Sequence, residues 1–316
     1  MCMGKMSDEI GEEASRVITS QFGVNFGEIG EICALKKGMT NKSFLFSCRG
    51  QRYIIRIPGE GTQRLIDRKQ EAETYRIVEG LDICDEVVYI NPENGIKITK
   101  YLEGARTCNA LDEQDLIRCM AKLRGFHSLK LSVNYEFDIF ERIDFYEGLW
   151  RGKRSRYADY VVTKQNVLSL RDFIEQHSAE KVLTHIDAVP DNFLFYKECR
   201  KKDGKQEEQL RLTDWEYAGM QDPHVDVAMF CIYSLYNKQQ TDRLIQIYFE
   251  GQCRADIRAK IYCYIAACGL LWSNWCEYKQ NLGVEFGEYS VRQYQYAKEY
   301  FLYAAGEISR RKEILL

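Results

Sequence analysis

The sequence contains little proline and little histidine, and no segment of it is repeated. Its 316 residues include four Pro and four His, and no low-complexity tract interrupts them. The scarcity of proline excludes a Pro-rich linker, which would act as an extended spacer. Hydrophobic residues make up 45% of the chain. At this length they are sufficient for two packed lobes.

Cysteine is present, but its spacing is not that of a metal site. The twelve Cys residues include no C-x-x-C pair, and with the few His residues they form no zinc pattern. Residues 1–13 are polar and acidic, and lack the apolar core of a secretory signal. We therefore expect free thiols in a reducing compartment and a cytoplasmic location.

The charge and hydropathy patterns narrow the range of partners. A net charge of −3 gives no reason to expect nucleic-acid binding. The most apolar segment, residues 263–275, is too short and too interrupted to cross a membrane, so it predicts a buried helix and no membrane span. A small-molecule substrate is the expected partner, and the sequence leaves the oligomeric state open.

The most informative segment begins at residue 185. Asp187 precedes Asn192 by five positions, in a tight loop that Pro190 helps to fix. Two short apolar runs follow, and the second of them ends on Asp214. The runs predict a hairpin of strands that brings Asn192 and Asp214 to the same end of a sheet.

This spacing is typical of a kinase-like phosphotransferase. In such enzymes one Asp accepts the proton of the substrate hydroxyl, while an Asn and a second Asp hold the magnesium ions on ATP. Mg²⁺ prefers oxygen ligands, chiefly a few carboxylates, phosphates and water. Asp187 is thus the candidate catalytic base, and Asn192 and Asp214 are the candidate metal ligands. The alternative is a solvated loop with ordinary acidic residues.

A polar turn in the first part of the chain is a candidate phosphate-binding loop. It covers residues 36–43 and lies between apolar segments, with strands predicted over residues 44–48 and 53–57. Free backbone N–H groups and hydroxyls in such a turn can bind phosphate. The candidate residues are Gly38, Thr40, Asn41 and Ser43. Taken alone, without the downstream motif, the turn favours an ordinary hairpin.

Arg56 is unusual because it interrupts an apolar strand, where a buried charge needs a partner. Kinases place a cation on the third strand, where it contacts phosphates and pairs with a Glu on the next helix. Residues 63–79 predict that helix. Glu71 is the expected partner, with Glu73 as the second choice. In the alternative, Arg56 points to solvent from an exposed sheet face.

Residues 97–104 predict a strand that ends at a glycine and connects two lobes. In a kinase-like fold its backbone would contact adenine, which makes Lys100 and Leu102 candidate nucleotide-binding residues. Any strand followed by a turn has the same pattern, so this prediction depends on its neighbours.

Together these stretches resemble the choline/ethanolamine kinases, within the aminoglycoside-phosphotransferase superfamily of protein-kinase-like folds, and most of all the bacterial choline kinases. The matching stretches are residues 38–43, 53–59, 66–71, 185–192, 214–226 and 272–275. The resemblance implies transfer of the ATP γ-phosphate to the hydroxyl of choline, with ATP and Mg²⁺ as cofactors. It assigns Asp187 as the base, Asn192 and Asp214 to magnesium, and Arg56 with the upstream turn to ATP.

The resemblance also suggests a pocket for the choline ammonium group. Aromatic faces bind a quaternary ammonium by cation–π attraction, worth about 0.5–2 kcal/mol per contact. The candidate pocket residues are Trp272, Trp275 and Tyr296, with Glu216 or Asp226 adding negative charge. The spacing of the two Trp residues alone favours a role in the hydrophobic core.

The expected fold is α+β, with two lobes as in protein kinases. Residues 1–101 form a small lobe with an antiparallel sheet and one helix. Residues 102–316 form a larger, mainly helical lobe that contains the catalytic hairpin, and ATP lies in the cleft. The rival functions are a kinase for ethanolamine, thiamine or an aminoglycoside, a catalytically inactive nucleotide-binding module, and a magnesium-dependent hydrolase.

Overall fold

The computed structural model describes residues 10–35, 41–59, 61–199 and 206–314. The chain divides into two compact units. The first contains Met1–Arg106 and Leu194–Tyr217, and the second contains Thr107–Phe193 and Ala218–Leu316. The expected boundary after residue 101 is therefore displaced, because the first unit also includes a segment from later in the chain.

The first unit is built on a five-stranded antiparallel sheet with the order β1-β2-β3-β5-β4. The strands are β1 (Gly30–Ala34), β2 (Asn41–Cys48), β3 (Gln51–Pro58), β4 (Val87–Ile90) and β5 (Lys97–Lys100). Arg49 and Gly50, with φ of 50° and 78°, form the turn between β2 and β3. Two-residue turns with positive φ match the twist of paired strands. The predicted hairpin is therefore present.

Two helices accompany this sheet. Helix α1 (Glu12–Phe22) contributes Ile18 to a core that also contains Phe46, Ile55 and Ile98. Helix α2 (Arg68–Val78) is shorter than the predicted helix over residues 63–79. It begins at Arg68 because the Asp67 carboxylate accepts hydrogen bonds from the next free backbone N–H groups.

The predicted strand hairpin after Asn192 is also present, but it belongs to the first unit rather than to the helical one. Strands β8 (Phe193–Cys199) and β9 (Gln206–Leu212) form a sheet with β6 (Arg106–Thr107) in the order β6-β8-β9. The backbone N–H of Leu212 donates to the carbonyl of Ile83 at 2.8 Å, and Arg211 pairs with Asp82 at 2.7 Å. These contacts fasten the hairpin to the segment after α2.

The second unit is mainly helical, as expected. Its helices are α3 (Glu113–Ser128), α4 (Ile139–Gly148), α5 (Tyr160–Leu168), α6 (Arg171–His177), α7 (His224–Tyr233), α8 (Lys238–Tyr248), α9 (Ala255–Gln280) and α10 (Glu288–Ile314). Strands β7 (Val182–Thr184) and β10 (Gly219–Gln221) pair antiparallel within it. Strand β7 leads into the loop that carries Asp187, and β10 leads towards α7.

Helix α9 is the centre of this unit and contains the predicted apolar segment. Every residue of this helix from Ala259 to Lys279 is buried. Helix α10 crosses it closely at Gly269, where a Cβ atom would lie 2.7 Å from the carbonyl oxygen of Gln293. Among the described residues, no helix combines the length and the apolar character that crossing a membrane requires.

Candidate active site

Arg56 is the centre of a buried ionic cluster in the first unit. It lies on β3 and is 5% exposed. One terminal nitrogen, Nη1, lies 2.6 Å from Glu71, 3.2 Å from Asp214 and 3.3 Å from Glu216. The other, Nη2, donates to the carbonyl of Gly95 at 3.1 Å. Arg56 therefore contacts Glu71, the expected partner, and does not point to solvent.

Two further cations, which were not among the candidate site residues, complete the cluster. Arg68 Nη1 lies 2.7 Å from Glu71 and 3.0 Å from Glu216. Lys97 lies 3.9 Å from Glu71 and contacts the Tyr75 hydroxyl. Arg68 lies on the same helical face as Glu71, three residues before it, and that spacing was the one available signal of its role.

The electrostatics of the cluster follow from its burial. Burial alone would raise the pKa of Glu71, but the charges of Arg56, Lys97 and Arg68 outweigh it and lower that pKa to about 2. Burial and the neighbouring charge of Asp214 raise the pKa of Glu216. Glu71 is therefore a permanent anion at neutral pH, because its three cationic neighbours stabilise the charged form.

Asp214 is the member of the cluster that remains accessible. One oxygen each from Glu71, Asp214 and Glu216 lies within 4.8 Å of the others. The Asp214 side chain is 35% exposed, whereas those of Glu71 and Glu216 are 0% and 2% exposed. Asp214 also has a φ of 65°, a conformation that is uncommon for a residue with a side chain. Its hard, accessible carboxylate fits Mg²⁺.

The loop after β7 holds the second group of candidate residues, in the second unit. Asn192 closes a 3₁₀ turn that begins at Pro190. Its amide nitrogen donates to the backbone carbonyl of Asp187 at 2.9 Å and to the carboxylate of Asp187 at 3.1 Å. The five-residue spacing thus lets the amide orient the half-buried carboxylate.

Asp226 supports this loop from beneath. It is fully buried, and its carboxylate accepts hydrogen bonds from the backbone N–H groups of His185 at 2.9 Å and Ile186 at 2.7 Å. It also lies 2.9 Å from Nε2 of His127. Because a carboxylate only accepts, His127 donates through Nε2. Ile186 has a φ of 67°, which is strained for a β-branched residue, so the loop needs this support.

These positions differ from the expected roles of two acidic residues. Asp226 was expected near the substrate ammonium, but its carboxylate is enclosed and hydrogen-bonded to the catalytic loop. Glu216 was expected there too, but it lies in the Arg56 cluster, bound by two guanidinium groups and by the amide of Asn41 at 2.9 Å. Neither residue presents an unused charge, since buried carboxylates must be satisfied where they lie.

The aromatic candidates are all buried in the second unit. Trp272, Trp275 and Tyr296 are 1%, 2% and 0% exposed. The rings of Trp272 and Trp275 pack edge to face with centroids 5.6 Å apart. The Tyr296 hydroxyl donates to the carbonyl of Tyr236 at 2.7 Å, which ties this side chain to the helical core.

The other nucleotide-binding candidates are scattered. Gly38 and Thr40 lie outside the described residues. Ser43 pairs in register with Arg56 across β2 and β3. Lys100, at the end of β5, is half-exposed and forms an ion pair with Glu86 at 2.5 Å. Leu102 follows in the turn after β5, where its carbonyl accepts a hydrogen bond at 3.2 Å.

The comparison with protein families identifies the arrangement. Residues 32–252 match the family model of choline/ethanolamine kinases. The chain belongs to the choline/ethanolamine kinase family. The match covers both the strand that carries Arg56 and the loop that carries Asp187, so the predicted family resemblance is confirmed.

Individual proteins and solved structures are also similar to this chain. Protein LicA of Haemophilus influenzae is 28% identical over 290 residues, covering 86% of this chain and 78% of the relative. A crystal structure of choline kinase LicA from Streptococcus pneumoniae has 27% identity and a TM-score of 0.76, over 92% of this chain and 99% of that one. A structure of LicA in complex with AMP has 27% identity and a TM-score of 0.75, over 93% and 100%. The predicted kinase-like fold is confirmed.

Proposed function

We propose that the protein is an ATP-dependent choline kinase, which converts choline and ATP to phosphocholine and ADP. The observation that supports this most strongly is the Arg56 guanidinium between Glu71 and Asp214. Kinases need a cation paired with a helix Glu, and beside it an Asp for the metal. Membership of the family, and relatives that are named choline kinase, favour choline as the acceptor.

Asp187 acts as the base in this proposal. As the choline oxygen attacks the γ-phosphorus, its proton passes to the Asp187 carboxylate and the bond from phosphorus to the β–γ bridging oxygen breaks. Asn192 keeps the carboxylate oriented through its bond at 3.1 Å. A positioned base of this kind contributes about 10²–10⁴-fold to the rate.

The remaining residues bind and orient the phosphates. Asp214, with its accessible carboxylate, and Asn192 would hold Mg²⁺, which would supply positive charge to offset the charge of the phosphates. Arg56 contributes a fixed positive charge, since burial lowers its pKa but Glu71 and Glu216 raise it well above the usual value. No covalent intermediate is needed, because phosphoryl transfer proceeds by positioning and electrostatic stabilisation.

Aromatic side chains would line the acceptor pocket. The edge-to-face pair of Trp272 and Trp275 would form one wall for the ammonium, and Tyr296 would supply a further aromatic contact. Since Glu216 and Asp226 are engaged elsewhere, we assign neither to the ammonium. Cation–π contacts therefore supply the main attraction.

A phosphorylation screen tests the proposed function. The purified protein is incubated with ATP and Mg²⁺ and with choline, ethanolamine, thiamine or kanamycin, and ADP and phosphorylated product are both measured. We expect equal amounts of ADP and phosphocholine, and the highest kcat/KM for choline. Preference for another acceptor would reassign the substrate, and ADP release without any acceptor-dependent product would refute a choline kinase.

A further inference from the structure

Arg68 is a buried cation of the Arg56 cluster to which the proposed reaction has so far given no role. It is 7% exposed, at the start of α2. Its Nη1 bridges Glu71 at 2.7 Å and Glu216 at 3.0 Å. Its Nη2 reaches the side-chain oxygens of Asn41 at 3.4 Å and Thr62 at 3.3 Å. Four partners therefore fix the guanidinium plane.

Arg56 alone cannot pair with all the charged groups around it at the same time. Its Nη1 pairs with Asp214 at 3.2 Å and is also shared by Glu71 and Glu216. Under the proposed function, phosphates must approach Arg56 and a metal must approach Asp214. Both events draw Arg56 away from the two buried carboxylates. A buried carboxylate that loses its cation is strongly destabilised, so a second cation has to remain.

We propose that Arg68 is a positioning residue for the magnesium–nucleotide complex. It holds Glu71 and Glu216 in place, so that Arg56 can turn to the phosphates and Asp214 can bind the metal. This inference rests on the proposed use of ATP and Mg²⁺, but not on the identity of the acceptor. Arg68 itself touches neither substrate nor metal.

The turn at Gly95 is shaped around Arg68. Gly95 has a φ of 73°, and a Cβ atom there would lie 2.5 Å from Cδ of Arg68. The same residue accepts a hydrogen bond from Arg56 Nη2. A glycine is therefore required, both for its backbone conformation and to leave room for Arg68. This provides a second substitution that displaces Arg68 without removing its charge.

The test compares Arg68→Met, Arg68→Lys and Gly95→Ala with Arg64→Met, a matched control on an exposed arginine four residues earlier. Equilibrium binding of ADP is titrated at several Mg²⁺ concentrations, beside melting temperature and steady-state kinetics. For Arg68→Met we expect at least a tenfold higher Mg²⁺ requirement for nucleotide binding, and a choline KM within twofold of wild type.

Arg68→Lys should recover part of this loss, since an ammonium keeps the charge but lacks the planar fork that bridges two carboxylates. Gly95→Ala should change Mg²⁺ dependence in the same direction as Arg68→Met. A purely structural role predicts a lower melting temperature with an unchanged Mg²⁺ requirement, and that result would overturn the proposal.

If Arg68→Met does not fold, the test relies on Arg68→Lys and Gly95→Ala. A wild-type Mg²⁺ requirement in both of these variants contradicts the proposal.

Whether choline is the acceptor is tested separately. A wild-type protein that binds Mg²⁺ and ADP but leaves choline unphosphorylated would refute the proposed function while the role of Arg68 is still measured.

Discussion

Replacing Asp226 by Asn removes one charge from beneath the catalytic loop while keeping the shape of the side chain. The carboxylate accepts from two backbone N–H groups, those of His185 and Ile186, and from His127. An amide has one accepting oxygen, and its NH₂ group would face a donor. At least one buried N–H group therefore loses its partner.

The size of the effect follows from those contacts. A hydrogen bond to a charged group contributes about 1.5–3 kcal/mol, and an unsatisfied buried donor costs about 1–3 kcal/mol. Since Asp226 is fully buried, water does not replace the lost partner. We expect the second unit to lose about 3–5 kcal/mol of unfolding free energy. For a unit of this size that is roughly a 10 °C lower melting temperature.

Asp187→Asn is the variant whose kcat and melting temperature should be compared with those of Asp226→Asn. Asp187 is only half-buried, and Asn can still accept the hydrogen bond from Asn192. We expect the kcat of this variant to fall by about 10²–10⁴-fold, while the melting temperature stays within about 2 °C of wild type. Asp191→Asn, an exposed change in the same turn, serves as the control and should alter neither quantity.

Thermal unfolding and initial rates measured on the three variants separate a supporting residue from a catalytic one. Asp226→Asn should lower both stability and activity, and Asp187→Asn activity alone. A fully stable Asp226→Asn variant that is specifically impaired in choline binding would refute the reasoning, and would return Asp226 to the substrate pocket.

Two further predictions follow from the clusters. Arg56→Ala and Glu71→Ala should each raise the KM for ATP. The double mutant should lose less ATP binding than the sum of the two single losses, since groups in contact couple by about 0.5–3 kcal/mol. Additive losses would contradict the contact between Arg56 and Glu71 at 2.6 Å. Trp275→Ala should destabilise the protein by about 3–5 kcal/mol, because the ring is buried. If it also lines the pocket, the choline KM should rise about five- to thirtyfold while the ATP KM is unchanged; an unchanged choline KM would assign Trp275 to the core.

Much of the local structure could be predicted from the sequence, because it depends on neighbours along the chain. The turn at Arg49-Gly50 between two apolar runs predicts the β2–β3 hairpin, and the apolar segment within α9 predicts a buried helix. The same holds for Asp187 and Asn192, whose contact needs only one short loop. The start of α2 was missed, although Asp67 is a typical capping residue.

The long-range contacts could not be predicted in the same way. Arg68 and Glu216 are 148 residues apart, and Asp226 is 40 residues from Ile186. A pattern along the chain shows that a charged residue exists, but not which distant group will satisfy it. Glu216 and Asp226 were therefore assigned to the substrate, whereas in the structure both are bound to protein groups.

What the sequence determined by itself is the family, the kinase-like fold class, and those local elements that neighbouring residues define. Only the tertiary structure decided how the charges are shared. Folding brings Arg56, Arg68 and Lys97 around Glu71, and it leaves Asp214 as the accessible carboxylate of the cluster. The physical reason is burial: once water is excluded, every charge must find a partner, and the packing of distant segments determines which one.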